Sequence, residues 1–211
     1  MKRLGIIGAS GMARELGDIA HDQGYAPIYV AKDLKEIEAW KYSDEVILET
    51  DIHRYRDISY AVGIGDNAVR RSVVNRLKSE VRFSNLIHTH ATFGKGQRSL
   101  IEKKVGVVIA AGARFTNNIL IGDFNIFNQS TAIAHDVVIG DFVHIAPGCI
   151  ISGNVTIGHH CWIGAGSIIN QGDNKNRIHI GDNTIIGSGA VVTQSCIPDA
   201  IYVGVPARRI K

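Results

Sequence analysis

Residues 109–169 read IAAGARFTNNILIGDFNIFNQSTAIAHDVVIGDFVHIAPGCIISGNVTIGHHCWIGAGSII, and in this stretch every sixth residue is bulky and apolar. The series is Ile109, Phe115, Ile121, Phe127, Ile133, Ile139, Ile145, Ile151, Ile157, Ile163 and Ile169. No helix or ordinary strand has period six. A fixed short period means that one small unit is repeated, each copy placing one large side chain over the last, so that stacking builds a continuous core. Glycine follows the ladder residue at Gly122, Gly140 and Gly158, eighteen apart, or three hexads. This predicts a three-sided coil with one corner that needs a left-handed or sterically bare residue, hence a triangular prism. Each buried Ile contributes roughly 1.5–3 kcal/mol before entropy is set against it, so a dozen rungs can hold such a domain without disulfides.

The ladder resumes at Ile180, Ile186 and Val192, but Ile180 is eleven residues from Ile169 instead of twelve. The polar stretch Gln171-Gly172-Asp173-Asn174-Lys175-Asn176 between them reads as a loop thrown out from a corner. Ahead of the ladder, Gly94-Lys95-Gly96-Gln97 marks irregular first coils. A solenoid needs covered ends, so the Ile197–Lys211 segment is expected to pack on the final coil or on a neighbouring subunit.

The amino-terminal part is another kind of sequence. Arg3-Leu4-Gly5-Ile6-Ile7 leads through Gly8-Ala9-Ser10-Gly11 into a helical pattern from Met12 to Gly24. A second apolar run ends at Lys32-Asp33, and a third ends at Gly65-Asp66-Asn67 before a helix carrying Arg70 and Arg71. Strand, glycine turn and helix in alternation predict a small parallel sheet with helices on it. Ligands of such sheets lie at the carboxyl ends of the strands, which places Gly8, Ser10, Gly11, Gly65, Asp66 and Asn67 at a candidate ligand cleft. The turn alone is a weak signal, since GxGxxG would need glycine at Ser10. Roughly ninety residues also supply too few strands for a full dinucleotide fold, which argues against nicotinamide chemistry. The expected division is 1–87 for a Rossmann-like domain and 88–211 for the β-helix.

Composition limits the partners. The 211 residues are 45% hydrophobic and 20% charged with a net charge of +3, and no Lys/Arg run points to nucleic acid. Three cysteines, Cys149, Cys161 and Cys196, without CxxC fit reduced thiols in a cytoplasmic protein, and no signal peptide or membrane-inserting segment is visible. Cys149 and Cys161 each lie two positions before a ladder residue and read as small core or corner thiols.

Among polar residues expected to project outward from the ladder are Asn128, His135, Asp136 and His144. An imidazole accepts a proton near neutral pH, and an adjacent carboxylate can fix its tautomer, as His135-Asp136 offers. His135, His144, His159 and His160 also raise a zinc reading, but His159 and His160 are sequence neighbours and cannot easily converge on one ion. No metal site is expected. A Ser/His/Asp nucleophile is not indicated.

The hexad ladder, the stretch Asn128-Gln129-Ser130-Thr131-Ala132-Ile133-Ala134-His135-Asp136 and the ending Tyr202-Val203-Gly204-Val205-Pro206-Ala207-Arg208-Arg209-Ile210 together resemble the hexapeptide-repeat acyltransferases, which are left-handed parallel β-helices. With Gly8-Ala9-Ser10-Gly11 before a Rossmann-like domain, the resemblance narrows to the NeuD/PglD-like sugar acetyltransferases and covers essentially the whole chain. Left-handedness is implied by the resemblance alone, since parallel crossovers are ordinarily right-handed. The family implies a homotrimer, acetyl-CoA in the groove between adjacent β-helices, and a nucleotide-linked sugar in the amino-terminal domain. It also implies His135 as general base, Asp136 as its orienting partner where relatives often have Glu, and His144 beside the pantetheine and thioester. By the same resemblance the Gly153 N–H faces the thioester oxyanion, Asn128 the reacting amine, and Ala165 and Gly187 the coenzyme arm. Two departures bear on the nucleotide: Met12 stands where relatives carry histidine in GASGHG, and Ala31-Lys32 precedes Asp33 where relatives carry an Asp-Asp pair. Asp33 remains the candidate for the uracil or ribose.

The implied activity is N-acetylation of the 4-amino group of a UDP-linked amino-deoxy sugar, of the bacillosamine type, by direct transfer. O-acetylation of sialic acid or another sugar is the alternative. A zinc hydratase and a non-catalytic binding or assembly module are the readings from other classes.

Overall fold

The computed structural model describes residues 2–211. Five parallel strands form the amino-terminal sheet: β1 (Lys2–Ile7), β2 (Tyr25–Ala31), β3 (Glu45–Leu48), β4 (Ser59–Val62) and β5 (Arg82–Phe83), in the order β3-β2-β1-β4-β5. The helices are α1 (Gly11–Asp22), α2 (Leu34–Glu38) and α3 (Asn67–Leu77). Gly8 has φ 120°, and a Cβ there would lie 3.0 Å from the Gly63 carbonyl, so only glycine allows β1 to turn into α1 this close to the end of β4. Asp66 caps α3 by accepting the Val69 N–H at 2.8 Å.

From Leu86 onward the chain winds into three sheets, parallel except for the last strand, with residues eighteen apart paired in register, as in Ile121↔Ile139 and Ile139↔Ile157. The first face holds eight strands, from Leu86–Ile87 through His144–Ile145 and Trp162–Ile163 to Arg208–Arg209. The second holds six and includes Ala132–Ile133 and Ile150–Ile151; the third holds four and includes Val155–Ile157. The ladder residues from Ile109 to Ile169 join one buried core, which is the expected prism.

The corners follow the same count. A left-handed residue recurs every six positions from Gly106 to Gly166, with φ between 53° and 72°, and Asn118, Phe124, Ser130, Asp136, Phe142, Asn154 and His160 adopt it without being glycine. Such conformations cost roughly 1–2 kcal/mol each. On the corner between the third and first faces the cost is offset by an aromatic column: Phe124 stacks on Phe142 at 5.1 Å, and Phe142 on His160 at 5.6 Å. Gly122, Gly140 and Gly158 lie on that same corner and are the sterically bare residues. A Cβ on Gly140 would lie 2.8 Å from the His159 nitrogen of the next coil.

The interruption after Ile169 is one corner carrying an insertion. Ile180 pairs with Ile157, so this coil takes 23 residues where Ile139 to Ile157 takes 18. The expected irregular start contains a helix, Gln97–Ile101, whose buried Gln97 exchanges hydrogen bonds with Ile119 at 2.7 and 3.0 Å and closes one end of the prism. At the other end Ile201–Val203 pairs with Ile185–Ile186 and is covered by Arg208–Arg209, so the terminal segment packs on the final coil.

The two parts share a core. Outward-pointing Leu86, Val108 and Ile126 of the first face are buried with Leu4, Ala13 and Leu16 of β1 and α1. The next residues outward on this face are His144, buried, then Trp162, half-buried, then Ile185, exposed, so the amino-terminal domain covers the face up to His144 and stops there.

Truncating a central rung should act as a core deletion. Ile145→Ala is expected to cost about 2–5 kcal/mol and Ile145→Val about 0.5–1.5 kcal/mol in denaturant unfolding. Equal small losses for both would mean that the ladder is not tightly packed.

Candidate active site

Arg70 of α3 joins the domains. It is 1% exposed, and its guanidinium donates to the carbonyls of Ile64 (2.9 Å), Gly65 (3.1 Å), Phe124 (3.0 Å) and Phe142 (3.0 Å) and to Asn67 Oδ1 (2.8 Å). Asn67 in turn donates Nδ2 to the carbonyls of His160 (3.0 Å) and Cys161 (2.9 Å). The end of β4, the start of α3 and three successive coils of one corner are thereby fixed to each other.

The joint frames a cavity of about 600 Å³. Gly65, Asp66, Asn67 and Arg71 form one wall, His160 and Asn183 another, and His144, Trp162 and Ile185 the floor. His144 is 8% exposed and its Nδ1 lies 2.9 Å from the Gly65 carbonyl. A carbonyl only accepts, so Nδ1 carries the proton and Nε2 presents a lone pair. That Nε2 is buried and has no hydrogen-bond partner among the described residues. Burial pushes this imidazole down to about 4, so near neutral pH it offers an acceptor to a ligand N–H or O–H. Arg71 donates to His160 Nε2 at 3.1 Å, and burial first and Arg71 second hold His160 below the usual histidine range.

A second group stands on the corner between the second and third faces. His135 Nδ1 is 2.7 Å from Asp136 Oδ2, and the His135 side chain is 45% exposed, its Nε2 meeting no hydrogen-bond partner among the described residues. Hydrogen bonds from His135, then from Asn118, hold the Asp136 carboxyl below the ordinary aspartate range, so it is a carboxylate orienting the ring. One coil on, Gly153 lies against this imidazole. A Cβ at Gly153 would fall 2.6 Å from His135 Cε1 and 2.7 Å from Nε2, so only glycine leaves the ring its place. Gly153 is buried, and among the described residues its N–H donates to no acceptor of the chain. A basic nitrogen and a free amide donor thus lie side by side, the combination needed to take a proton while stabilising an oxyanion.

The carboxyl ends of β1, β2 and β4 border a separate cavity of about 400 Å³, lined by Gly8, Ser10, Lys32, Glu36, Ile64 and Arg76 among others. Gly11 begins α1 outside this lining. Asp33 caps α2 by accepting the Glu36 N–H at 3.0 Å, and Lys32 with Glu36 stands at the cavity where Asp33 was expected. Ala165 is exposed, and Gly187 is half-buried against Val203 one coil later.

Of the residues expected to project outward from the ladder, two are covered: Gly65 lies over His144, and Asn128 is 6% exposed with its Oδ1 accepting the Gln129 N–H at 3.0 Å. The histidines stand apart. His159 Nδ1 accepts the Asp141 N–H, His160 meets Arg71, and among the described residues no group of three or more His, Cys, Asp or Glu is placed to hold a metal ion. Burial raises Cys161 to about 12 and Cys196 to about 11, and raises Cys149 as well, so none of these thiols is a nucleophile near neutral pH. Sequence reasoning missed Trp162, Asn183, Asn118 and Arg177. The eighteen-residue register, which stacks Trp162 on His144 and Asn118 under Asp136, is the signal that finds the first and third.

The PglD N-terminal domain family matches residues 3–77, and the bacterial transferase hexapeptide (six repeats) family matches residues 136–171. No curated protein sequence matches. The chain is similar over its full length to the full structure of WeeI from Acinetobacter baumannii AYE (27% identity, TM-score 0.87). It is also similar, over the whole of both chains, to the acetyltransferase domain of PglB from Neisseria gonorrhoeae FA1090 (25%, 0.84). PerB from Caulobacter crescentus, solved with CoA and GDP-perosamine, shares the fold at 23% identity over 100% of this chain and 98% of its own (TM-score 0.84). The fold is therefore the left-handed parallel β-helix with an α/β domain in front.

His144 makes stability depend on pH. Its folded value lies below the unfolded one of 6.5, so the stabilisation of the neutral form is complete above 6.5 and is lost as pH falls toward about 4. The expected loss over that window is up to ~3 kcal/mol. Urea midpoints at pH 7.5 and 4.5 should show a smaller drop for His144→Gln than for the parent; parallel drops would contradict the assignment.

Proposed function

We propose that this chain, a NeuD/PglD-like sugar acetyltransferase, transfers the acetyl group of acetyl-CoA to the 4-amino group of a UDP-linked amino-deoxy sugar, with His135 as the general base. The observation that carries this reading is the juxtaposition of a tautomer-fixed, half-exposed His135 with the unpaired Gly153 N–H. It is supported by the relatives, among them the PglB acetyltransferase domain solved with acetyl coenzyme A and PerB solved with CoA and GDP-perosamine.

The sugar amine attacks the thioester carbonyl carbon, and His135 Nε2 accepts the amine proton as the C–N bond forms. The oxygen gains charge against the Gly153 N–H, the C–S bond breaks, and CoA leaves as thiolate, to be protonated by the imidazolium or by water. No covalent acyl-enzyme is needed, and the elevated buried thiols offer no alternative nucleophile. Holding both reactants in line removes translational freedom, the larger part of such an acceleration.

The cavity at Gly8, Ser10 and Lys32 takes the nucleotide and Gly65, Asp66 and Asn67 lead toward the sugar, while Ala165 and Gly187 flank the coenzyme arm and Asn128 lies near the amine. A homotrimer brings the His135 corner of one subunit against its neighbour. Exposed apolar Leu120, Val138 and Ile150, on the two faces flanking that corner, are the surface it would cover. No helix among the described residues is long and apolar enough to cross a membrane.

Thiol release from acetyl-CoA, measured against UDP-, dTDP- and GDP-linked 4-amino sugars and free sialic acid, tests this. Fast turnover with one nucleotide amino sugar, reduced roughly 10²–10⁴-fold in His135→Ala, is the expected result. Turnover with sialic acid alone would replace it with O-acetylation. Silence across the panel, or an unaffected His135→Ala protein, would remove the base assignment.

A further inference from the structure

We infer that Arg177 and Asn118 are positioning residues for the His135–Asp136 pair, and that the insertion after Ile169 is what delivers Arg177 to this corner. The inference rests on the reading of His135 as the base. Every oxygen of Asp136 has a partner. Oδ2 meets His135 Nδ1 at 2.7 Å, Oδ1 accepts from Asn118 Nδ2, and the main-chain carbonyl accepts from Arg177 Nη2. The same Nη2 donates to the Val155 carbonyl at 3.0 Å, and Nε donates to Thr156 Oγ1 at 3.1 Å.

The coil register explains how these groups meet. Asn118, Asp136 and Asn154 form one column of left-handed residues, eighteen apart, with φ of 53°, 59° and 57°. Arg177 immediately precedes Ile178, which pairs with Val155, so it stands in that column one coil beyond Asn154 and reaches past it to Asp136. The insertion is tied down at both ends, where the Gly172 N–H donates to the Gly153 carbonyl at 3.0 Å and the Ile178 N–H to the Asn154 carbonyl at 3.3 Å, and is braced within by Asp173 Oδ1, which accepts the Lys175 and Asn176 N–H groups at 2.7 Å each. An uninterrupted coil would turn this corner without it.

The chemistry is tautomer control. With Asp136 locked by Asn118 from below and Arg177 from above, the carboxylate holds the proton on His135 Nδ1 and leaves the Nε2 lone pair free to accept one. Loss of either partner lets Asp136 turn, and the other tautomer, whose Nε2 is already protonated and cannot act as base, becomes populated. Arg177 also adds a favourable charge to the carboxylate, after His135 and Asn118. Its fork reaches two carbonyls and a hydroxyl from two separate nitrogens, a span that the single nitrogen of an ammonium does not reproduce.

The test uses Arg177→Met, Arg177→Lys and Asn118→Gly, glycine being chosen because it tolerates the left-handed backbone. Ring ¹⁵N shifts of His135 in the full-length protein, at a pH where the ring is neutral, should report one Nδ1–H tautomer in the parent and a mixture in Arg177→Met and Asn118→Gly. Turnover should fall roughly tenfold, a part of what a positioned base contributes, with KM for acetyl-CoA within about twofold. Arg177→Lys should recover part of both. An unchanged tautomer in Arg177→Met and Asn118→Gly, whatever happens to turnover, overturns the inference. An active His135→Ala protein would sink the base reading instead and would leave the tautomer result standing, so the two failures are distinguishable.

Discussion

The buried Arg70 guanidinium is the contact on which the arrangement of the molecule depends. Its neighbours are five main-chain carbonyls, Val143 at 3.5 Å being the fifth, and one side-chain amide oxygen, with no carboxylate among its hydrogen-bond partners. Burial depresses it to about 10, still far above neutral pH, so it remains a cation whose charge is met by oriented dipoles. Removing it would strand several buried carbonyls, each costing on the order of 1–3 kcal/mol. Through Ile64 and Gly65 it fixes the end of β4, through Asn67 the first turn of α3, and through Phe124 and Phe142 two coils of the prism. The Gly65 carbonyl then sets the His144 tautomer, so the lone pair in the larger cavity is a consequence of the Arg70 joint.

The β-helix acts as a ruler. Because the coil repeats every eighteen residues, chemistry placed on a corner or a face is aligned by count alone: Gly153 over His135, Asn118 under Asp136, Trp162 over His144. The left-handed corner residues cost energy, and the protein uses them where a side chain must leave the ladder, as at Asp136 and His160. The insertion that breaks the count between Ile169 and Ile180 falls beside the His135–Asp136 corner and carries Arg177 into it, so the irregularity and the candidate site occupy the same place.

Much of this was legible in the sequence. The six-residue ladder alone dictated the prism, its eighteen-residue coil and the bare corner of Gly122, Gly140 and Gly158, since period six leaves no other way to bury so many Ile side chains. His135-Asp136 was legible because neighbouring residues at a corner must share it. Less legible were short strands without clear alternation, β3 and β5, and the Gln97–Ile101 helix, which has no apolar period and forms because Gln97 imitates a coil strand against Ile119. Burial of His144 could not be read locally, because it is conferred by Gly65, 79 residues away in sequence. Arg70 and Arg177 likewise carry no local signal; only the carbonyls that other segments turn toward them give them their roles.

The two domains are held as one unit, so binding energy from the nucleotide should be available to the transfer step on the β-helix. The most direct measurement of that coupling compares kcat/KM for the nucleotide-linked amino sugar with kcat/KM for the same amino sugar lacking its nucleotide, at saturating acetyl-CoA. A loss of several orders of magnitude without the nucleotide, expressed in kcat as well as KM, is the predicted result. Equal efficiency with the free sugar would contradict the account, leaving the amino-terminal domain and its Arg70 joint outside the reaction.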